Sequence, residues 1–157
     1  MNYHLYLLDA EFLKLFSKQE LYDYNIKSKS SRPFLILDHN NEKYSDCYCV
    51  IPIGSEKKDG KYKIQATRYP EQVMELKVEG NRNSFLFIQN YFYLKKFFLA
   101  EEYLVNGEQF VIKNKEIQEE IKRRFEKFNK KIELQKKYGN QKTSFVPLDI
   151  VYKKQKR

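Results

Sequence analysis

Residues 49–58 read CVIPIGSEKK, an apolar run that stops at Pro52, Gly54 and Ser55 and turns at once into Glu56, Lys57 and Lys58. A hydroxyl and two ammonium groups therefore leave one strand-like segment within a single turn. A second apolar run, RPFLILD, begins at Arg32 and ends in the turn signal Asp38 to Asn41, after which the chain returns through EKYSDCYCVIPI. Two such runs flanking a turn predict an antiparallel pair, which brings the Arg32 end of one strand to the Ser55 end of the other. About seven residues lead back from the turn to Arg32 and about fourteen lead forward to Ser55, so a bulge or a long hairpin is needed to bring them level. Pro33 donates no hydrogen bond and suits only the first position or the edge of its strand.

Serine, lysine and arginine in one place suit chemistry at a phosphodiester. RNA cleavage needs no metal when the 2'-hydroxyl attacks its own phosphate; the protein then has to orient the backbone and stabilise charge on the phosphorane oxygens. Arginine grips phosphate through two parallel hydrogen bonds, and lysine acts as a mobile point charge that can protonate a leaving oxygen if its pKa is lowered. The same residue types serve equally well for simple RNA binding.

Other chemistries lack their residues. No Walker loop, dinucleotide-binding glycine pattern or zinc cluster occurs; Cys47, Cys49 and His39 could at most begin a metal site, so neither a metal nor a cofactor is expected. His4 sits in a strand, and His39 falls in the hairpin turn, where solvent exposure is the simplest expectation. A Cys–His nucleophilic pair would need a cysteine lifted out of its strand. Glu101 and Glu102 are adjacent and point apart, unlike a glycosidase pair.

The positioning elements follow from periodicity. Tyr3 to Leu8 predicts a first strand, with Asp9 capping a helix AEFLKLF whose Phe12, Leu13 and Phe16 share a face. Residues 17–31 have no steady period and predict a basic loop. SEKKDGKYKIQATRYPEQ, punctuated by Gly60 and Pro70, predicts a second, long loop, functional or mobile, carrying Tyr62, Arg68 and Tyr69. Strands are expected at VMELKVEG and SFLFIQNYFYL with the turn GNRN between them, and FFLAEEYLV fits strand or helix. Ile117, Ile121, Phe125, Phe128 and Ile132 recur every three or four residues, predicting a long helix over 115–137 capped by Asn114, with Lys122, Arg123, Lys127, Lys130 and Lys131 opposite. A short closing strand is expected at Leu148 to Tyr152. The pattern predicts one α+β domain over 1–157, a small, strongly bent antiparallel sheet or barrel with helices against it.

Composition narrows the partners. Thirty Lys and Arg against 21 Asp and Glu give a net charge of +9, which favours a polyanion such as RNA, DNA or an anionic membrane surface. No apolar run approaches the roughly 18 to 20 residues of a spanning helix, and the N-terminus lacks the basic start and cleavage site of a signal peptide, so a cytoplasmic protein with reduced thiols is expected. Aromatic residues make up 16% of the chain and provide flat faces for unpaired bases as well as core.

The paired strings RPFLIL and CVIPIGSEKK resemble the bacterial toxin endoribonucleases of the MazF/PemK/Kid type, in which an Arg-Pro strand is followed by a strand ending in a Pro-x-Thr/Ser turn. Chain length, the N-terminal strand–helix, the lysine after the serine turn and the long late helix resemble more closely the ToxN/AbiQ/CptN/TenpN toxins of type III toxin–antitoxin systems. The resemblance implies an SH3-like barrel fold and metal-independent cleavage of mRNA to 2',3'-cyclic phosphate and 5'-hydroxyl ends. It also implies inhibition by a repetitive small RNA that the enzyme itself processes, a cyclic or hetero-oligomeric toxin–RNA assembly, and a role in phage defence. Carried over residue by residue, it places Ser55 at the turn hydroxyl, Lys57 at the following cation and Arg32 on the opposed strand. Gly54 stands where Thr is common, which leaves Ser55 as the only hydroxyl of the turn. Lys29 lies a few residues before the Arg-Pro, where a basic or aromatic group is expected, and Gln89 and Asn90 follow the second central strand as candidate RNA contacts. The RNA groove would be formed by Lys122 and Arg123 of the long helix together with Lys58, Lys61, Tyr62, Arg68 and Tyr69, the two tyrosines serving as stacking platforms. The rival expectations are a non-catalytic RNA-binding module with the same groove and a MazF-like toxin held by a protein antitoxin.

Overall fold

The computed structural model describes residues 2–16, 33–55, 58–77, 83–105, 107–109, 111–137 and 146–156. In chain order the elements are β1 (Leu5–Leu8), α1 (Ala10–Lys14), β2 (Phe34–Ile36), β3 (Cys47–Ser55), α2 (Lys61–Arg68), β4 (Met74–Lys77), β5 (Asn83–Leu86), β6 (Phe92–Lys95), β7 (Leu99–Glu102), β8 (Leu104–Val105), β9 (Glu108–Gln109), α3 (Lys115–Lys137) and α4 (Leu148–Lys154). Seven of the strands form one antiparallel sheet in the order β4-β5-β3-β2-β1-β7, with β6 also on β3, and β8 and β9 form a separate hairpin. Among the described residues no ladder joins β4 to β7, so the sheet is open.

The expected hairpin is present. Phe34, Leu35 and Ile36 pair with Pro52, Ile51 and Val50, and the longer return arm is taken up by a 3-10 turn at Glu42–Tyr44. Asn41 starts that turn by accepting a hydrogen bond from the Lys43 amide at 3.0 Å. Asp9 caps α1 as the sequence predicts, accepting from the Glu11 amide at 2.9 Å.

β3 is the spine, holding β2 on one edge and both β5 and β6 on the other. SFLFIQNYFYL is therefore two strands where one was expected, broken by a 3-10 turn at Ile88–Asn90. The break has its cause on the neighbouring strand. Within a strand the N–H and C=O of one residue project to the same edge. The Pro52 carbonyl accepts from the Phe87 amide at 2.9 Å, and the next amide, that of Ile53, turns the other way to the Pro33 carbonyl at 3.2 Å. The N–H that Pro52 lacks would thus face the β5–β6 edge. Ile53 pairs with Leu86 and Val50 with Phe92, so six residue steps on the partner span three on β3, and the surplus of three forms the turn.

The alternation of β3 divides the core. Cys47, Cys49, Ile51 and Ile53 face Ile121, Phe125 and Phe128 of α3. Val50, with Phe34, Ile36, Phe92 and Leu94, faces Phe12 and Phe16 at α1 and Val151 of α4. Both faces of an antiparallel sheet are covered, which is why its central strand reads as a continuous apolar run. A third, smaller cluster of Val73, Phe85 and Phe87 lies beneath Tyr62 and Ala66 of α2.

Two further sequence expectations are corrected. The segment after Ser55 is not wholly loop, because Asp59 accepts from the Lys61 amide at 3.0 Å, Gly60 adopts a left-handed φ of +68° and α2 follows. The closing segment is the helix α4, not a strand. Its Val151 is fully buried, and Gln155, which follows its C-terminus and is also fully buried, replaces a missing strand along the outer edge of β6. The Gln155 Oε1 accepts from the Lys95 amide at 2.7 Å, and its Nε2 donates to the Tyr93 carbonyl at 2.7 Å and to the Val151 carbonyl at 3.2 Å.

Gln155→Ala strips both partners from a buried strand edge and is expected to cost about 2 kcal/mol, read as a lower urea midpoint at unchanged m-value. An unchanged midpoint would show that the edge needs no such clamp.

Candidate functional site

Ser55 ends β3 and is exposed, and the register pairs it directly with Ser84 of β5. Opposed residues of an antiparallel pair project to the same face with Cβ atoms about 4.5–5.5 Å apart, so two hydroxyls stand side by side. By alternation they continue the face of Ile53 and Leu86, the face that α3 covers. Ser84, which lies on β5 and not in the turn and which sequence reasoning passed over, adds a second hydroxyl opposite Ser55. Only the β3–β5 register could have revealed it.

Lys57, Arg32 and Lys29 lie outside the described residues. The contact between the Pro33 carbonyl and the Ile53 amide sets the described end of β2 beside the last turn of β3.

Of the groove residues, Lys58, Lys61 and Arg68 are exposed on or just before α2, and the exposed Lys63 joins them. Lys63, Ile64, Thr67 and Arg68 line a shallow depression on the outward side of that helix. Tyr69, 52% exposed, presents an open ring. The half-buried Tyr62 ring packs edge-on against Phe87 with centroids 4.7 Å apart and lies 5.9 Å from Phe85, pinning α2 to the sheet. Asn90 is fully buried and Gln89 half-buried, with its amide held by the Gln72 carbonyl at 2.9 Å; Asn90 offers no surface to a phosphate.

The basic face of α3 is also divided. Lys122 pairs with Asp38 at 3.8 Å, at the hairpin-turn end of β2, away from Ser55, and Arg123 pairs with Glu120. The α3 cations that reach the segment leaving α2 are Arg124, donating to the Pro70 carbonyl at 2.8 Å, and Lys127, 3.0 Å from Glu71. These surface pairs contribute at most about 1 kcal/mol each, but they show which turn of α3 borders α2.

The remaining titratable groups belong to the core. His39 is half-buried, not exposed as its turn position suggests: its Nε2 lies 3.1 Å from the Tyr93 hydroxyl and its ring stands edge-on to Phe125 at 4.8 Å. Burial holds its pKa below the ordinary histidine value. Burial, aided by Asp46, pushes the Cys47 thiol up to about 12, and burial raises that of Cys49 as well, so neither is a thiolate nucleophile. Among the described residues no group of three or more His, Cys, Asp or Glu could hold a metal ion, and no helix is long and apolar enough to cross a membrane. What the Ser55 end offers chemically is a pair of hydroxyl donors on one face of the sheet, with the cationic helix α2 packed on Phe85 at the other face.

In comparison with known proteins, no family model matches this chain, and no curated protein matches it.

Two expectations test this placement. Tyr62→Ala should lower stability by about 2 kcal/mol in urea titrations, while Tyr69→Ala should stay within about 0.5 kcal/mol. Because the buried His39 binds its proton less readily than in the unfolded chain, its contribution is fully present above about pH 6.5 and is lost as pH falls toward the lower folded value. The difference in thermal midpoint between the native protein and His39→Gln should therefore change across that window, and a difference that stays flat with pH would contradict it.

Proposed function

We propose that this chain is a metal-independent endoribonuclease toxin of the type III toxin–antitoxin kind, with its site at the Ser55–Lys57 turn. The observation that carries the reading is the hydroxyl pair of Ser55 and Ser84 at the end of a strand whose hairpin partner follows Pro33. The likeness of RPFLIL and CVIPIGSEKK to the MazF/PemK/Kid and ToxN/AbiQ/CptN/TenpN toxins supplies the rest. On this reading the bent, open sheet corresponds to the SH3-like barrel of those enzymes.

The 2'-hydroxyl of the substrate gives its proton to water and attacks the adjacent phosphorus, the bond to the 5'-oxygen breaks, and a 2',3'-cyclic phosphate and a 5'-hydroxyl result. Ser55 and Ser84 donate hydrogen bonds to the non-bridging oxygens, whose charge grows in the transition state. Lys57 meets that charge and protonates the departing oxygen, and Arg32 holds the phosphate. Lys58, Lys61, Lys63 and Arg68 guide the backbone past the site, with Tyr69 stacking a base. The partners are mRNA and a repetitive antitoxin RNA processed by the same site, in a toxin–RNA assembly within the cytoplasm.

The test is incubation of the purified protein with mixed-sequence RNA in EDTA and analysis of the fragment ends. Cyclic-phosphate ends are expected, reduced about 10²- to 10³-fold in Lys57→Ala. Ser55→Ala and Ser84→Ala, each losing one hydrogen bond to a charged oxygen, should fall about 10- to 100-fold. RNA that is retarded on a gel yet uncut would make the chain a binding module instead.

A further inference from the structure

At the end of β3 opposite Ser55, lysines stand over aromatic rings. The Lys95 Nζ lies 5.0 Å from the Tyr152 ring centre, Lys96 is 5.3 Å from Tyr48, and Lys43 is 5.4 Å from Tyr44. The backbone gathers them: Lys95 pairs with Cys47 at the start of β3, the Lys96 amide donates to the Asp46 carbonyl at 3.2 Å, and Gln155 clamps α4 to β6. Of the carboxylates nearby, one pairs with Lys43 and the other is bonded by Tyr152, the ring beneath Lys95. Asp149 binds Lys43 at 3.4 Å and Lys153 at 3.0 Å, and Asp46 accepts from the Tyr152 hydroxyl at 3.1 Å. None of the ion pairs among the described residues involves Lys95 or Lys96.

A ring under an ammonium differs from a carboxylate beside it. The quadrupole attracts the cation by about 0.5–1 kcal/mol and so orders it, but leaves its charge intact. Ordered, unneutralised ammonium groups are what a phosphodiester backbone requires, because the side-chain entropy lost on binding is already reduced. An anionic membrane would need a continuous amphipathic apolar face, whereas the apolar side of α4, carrying Val151, is buried against the sheet and the exposed apolar residues here are Ile150, at 49%, and Phe97, at 37%.

We propose that this lysine–aromatic surface, centred on Lys95 and Lys96, is a second RNA contact that grips the backbone of a long single strand away from the cleavage turn. It rests on reading the chain as a protein that acts on RNA. Eight residue steps of β3 separate Cys47 from Ser55, at most about 26 Å, so one strand of RNA engaging both ends is held bivalently and a short one is not. The surface takes no part in bond breaking.

The test compares the native protein with Lys95→Gln/Lys96→Gln, using 2'-O-methyl poly(U), which lacks the attacking hydroxyl, and a 2'-O-methyl oligonucleotide of about 4 nucleotides. For poly(U) the slope of log affinity against log salt should become shallower by about 1.4, roughly 0.7 for each lysine. Binding of the short oligonucleotide and cleavage of a short unmodified RNA should be unchanged, and Lys95→Arg/Lys96→Arg should keep the native slope. An unchanged poly(U) slope in the glutamine variant overturns the proposal even if the native enzyme cleaves RNA. A shallower slope in a protein that never cuts leaves this surface standing and removes the catalytic reading. Loss in the glutamine variant of binding to phosphatidylserine vesicles, with poly(U) binding intact, would reassign the surface to a membrane and overturn the proposal.

Discussion

The sheet depends on one missing hydrogen-bond donor. β3 is buried on both faces and paired on both edges, so any irregularity in it must be answered by a neighbour. Pro52 withholds an N–H from the β5–β6 edge, and the partner chain leaves the ladder there, turns through Ile88–Asn90 and rejoins at Phe92. A surplus in one strand of an antiparallel pair bends that strand and increases the local twist. The same turn encloses Asn90 and sets Tyr91 under α3, where its hydroxyl donates to Asn129 at 2.6 Å. Beyond the break β5 resumes pairing, and that resumption brings Ser84 opposite Ser55.

The helices are held by polar groups set within apolar faces. Along α3 the Gln118 carbonyl accepts from the Tyr3 hydroxyl at 3.3 Å, Phe125 meets His39 and Asn129 meets Tyr91, while Arg124 and Lys127 lie beside Pro70 and Glu71. Tyr3 takes a left-handed φ of +63°, unusual for a side chain of its size. It is over-determined there: its amide donates to the Ile36 carbonyl at 2.6 Å, its carbonyl accepts from the Ile112 amide at 3.0 Å and its ring is buried. On the other face Gln155 does for β6 what a further strand would otherwise do, closing an edge that would be open to pairing with another chain.

The parts of this architecture legible in the sequence are those determined locally. The α3 repeat, the Asp9 cap and the hairpin around Asp38 to Asn41 each follow from spacing within a short window. α2 was hidden because its helical face is small: only Tyr62 and Ala66 pack, against a three-residue cluster on strands that follow later in the chain. LDIVYKK reads as a strand because Ile150, Val151 and Tyr152 favour one, yet the burial of Val151 and Gln155 overrides that preference. The break in SFLFIQNYFYL could not be read there at all, since its cause is a proline more than thirty residues earlier. Ser55 was legible as a site residue from its turn, whereas Ser84 required the register and Asn90 required knowledge of the break.

The distribution of charge follows from the same framework. A basic helix suggests a continuous cationic groove, but of the α3 cations Lys122 pairs with Asp38, Lys127 with Glu71, and Arg123 and Arg124 share Glu120. No ion pair among the described residues engages Lys58, Lys61, Lys63 or Arg68 near one end of β3, or Lys95 and Lys96 at the other. Neutralised pairs give little counterion release to a polyanion, while ammonium and guanidinium groups without a carboxylate give it in full. Among the described residues, cations without a carboxylate partner therefore stand at both ends of the central strand and, at Lys130 and Lys131, on the later turns of α3.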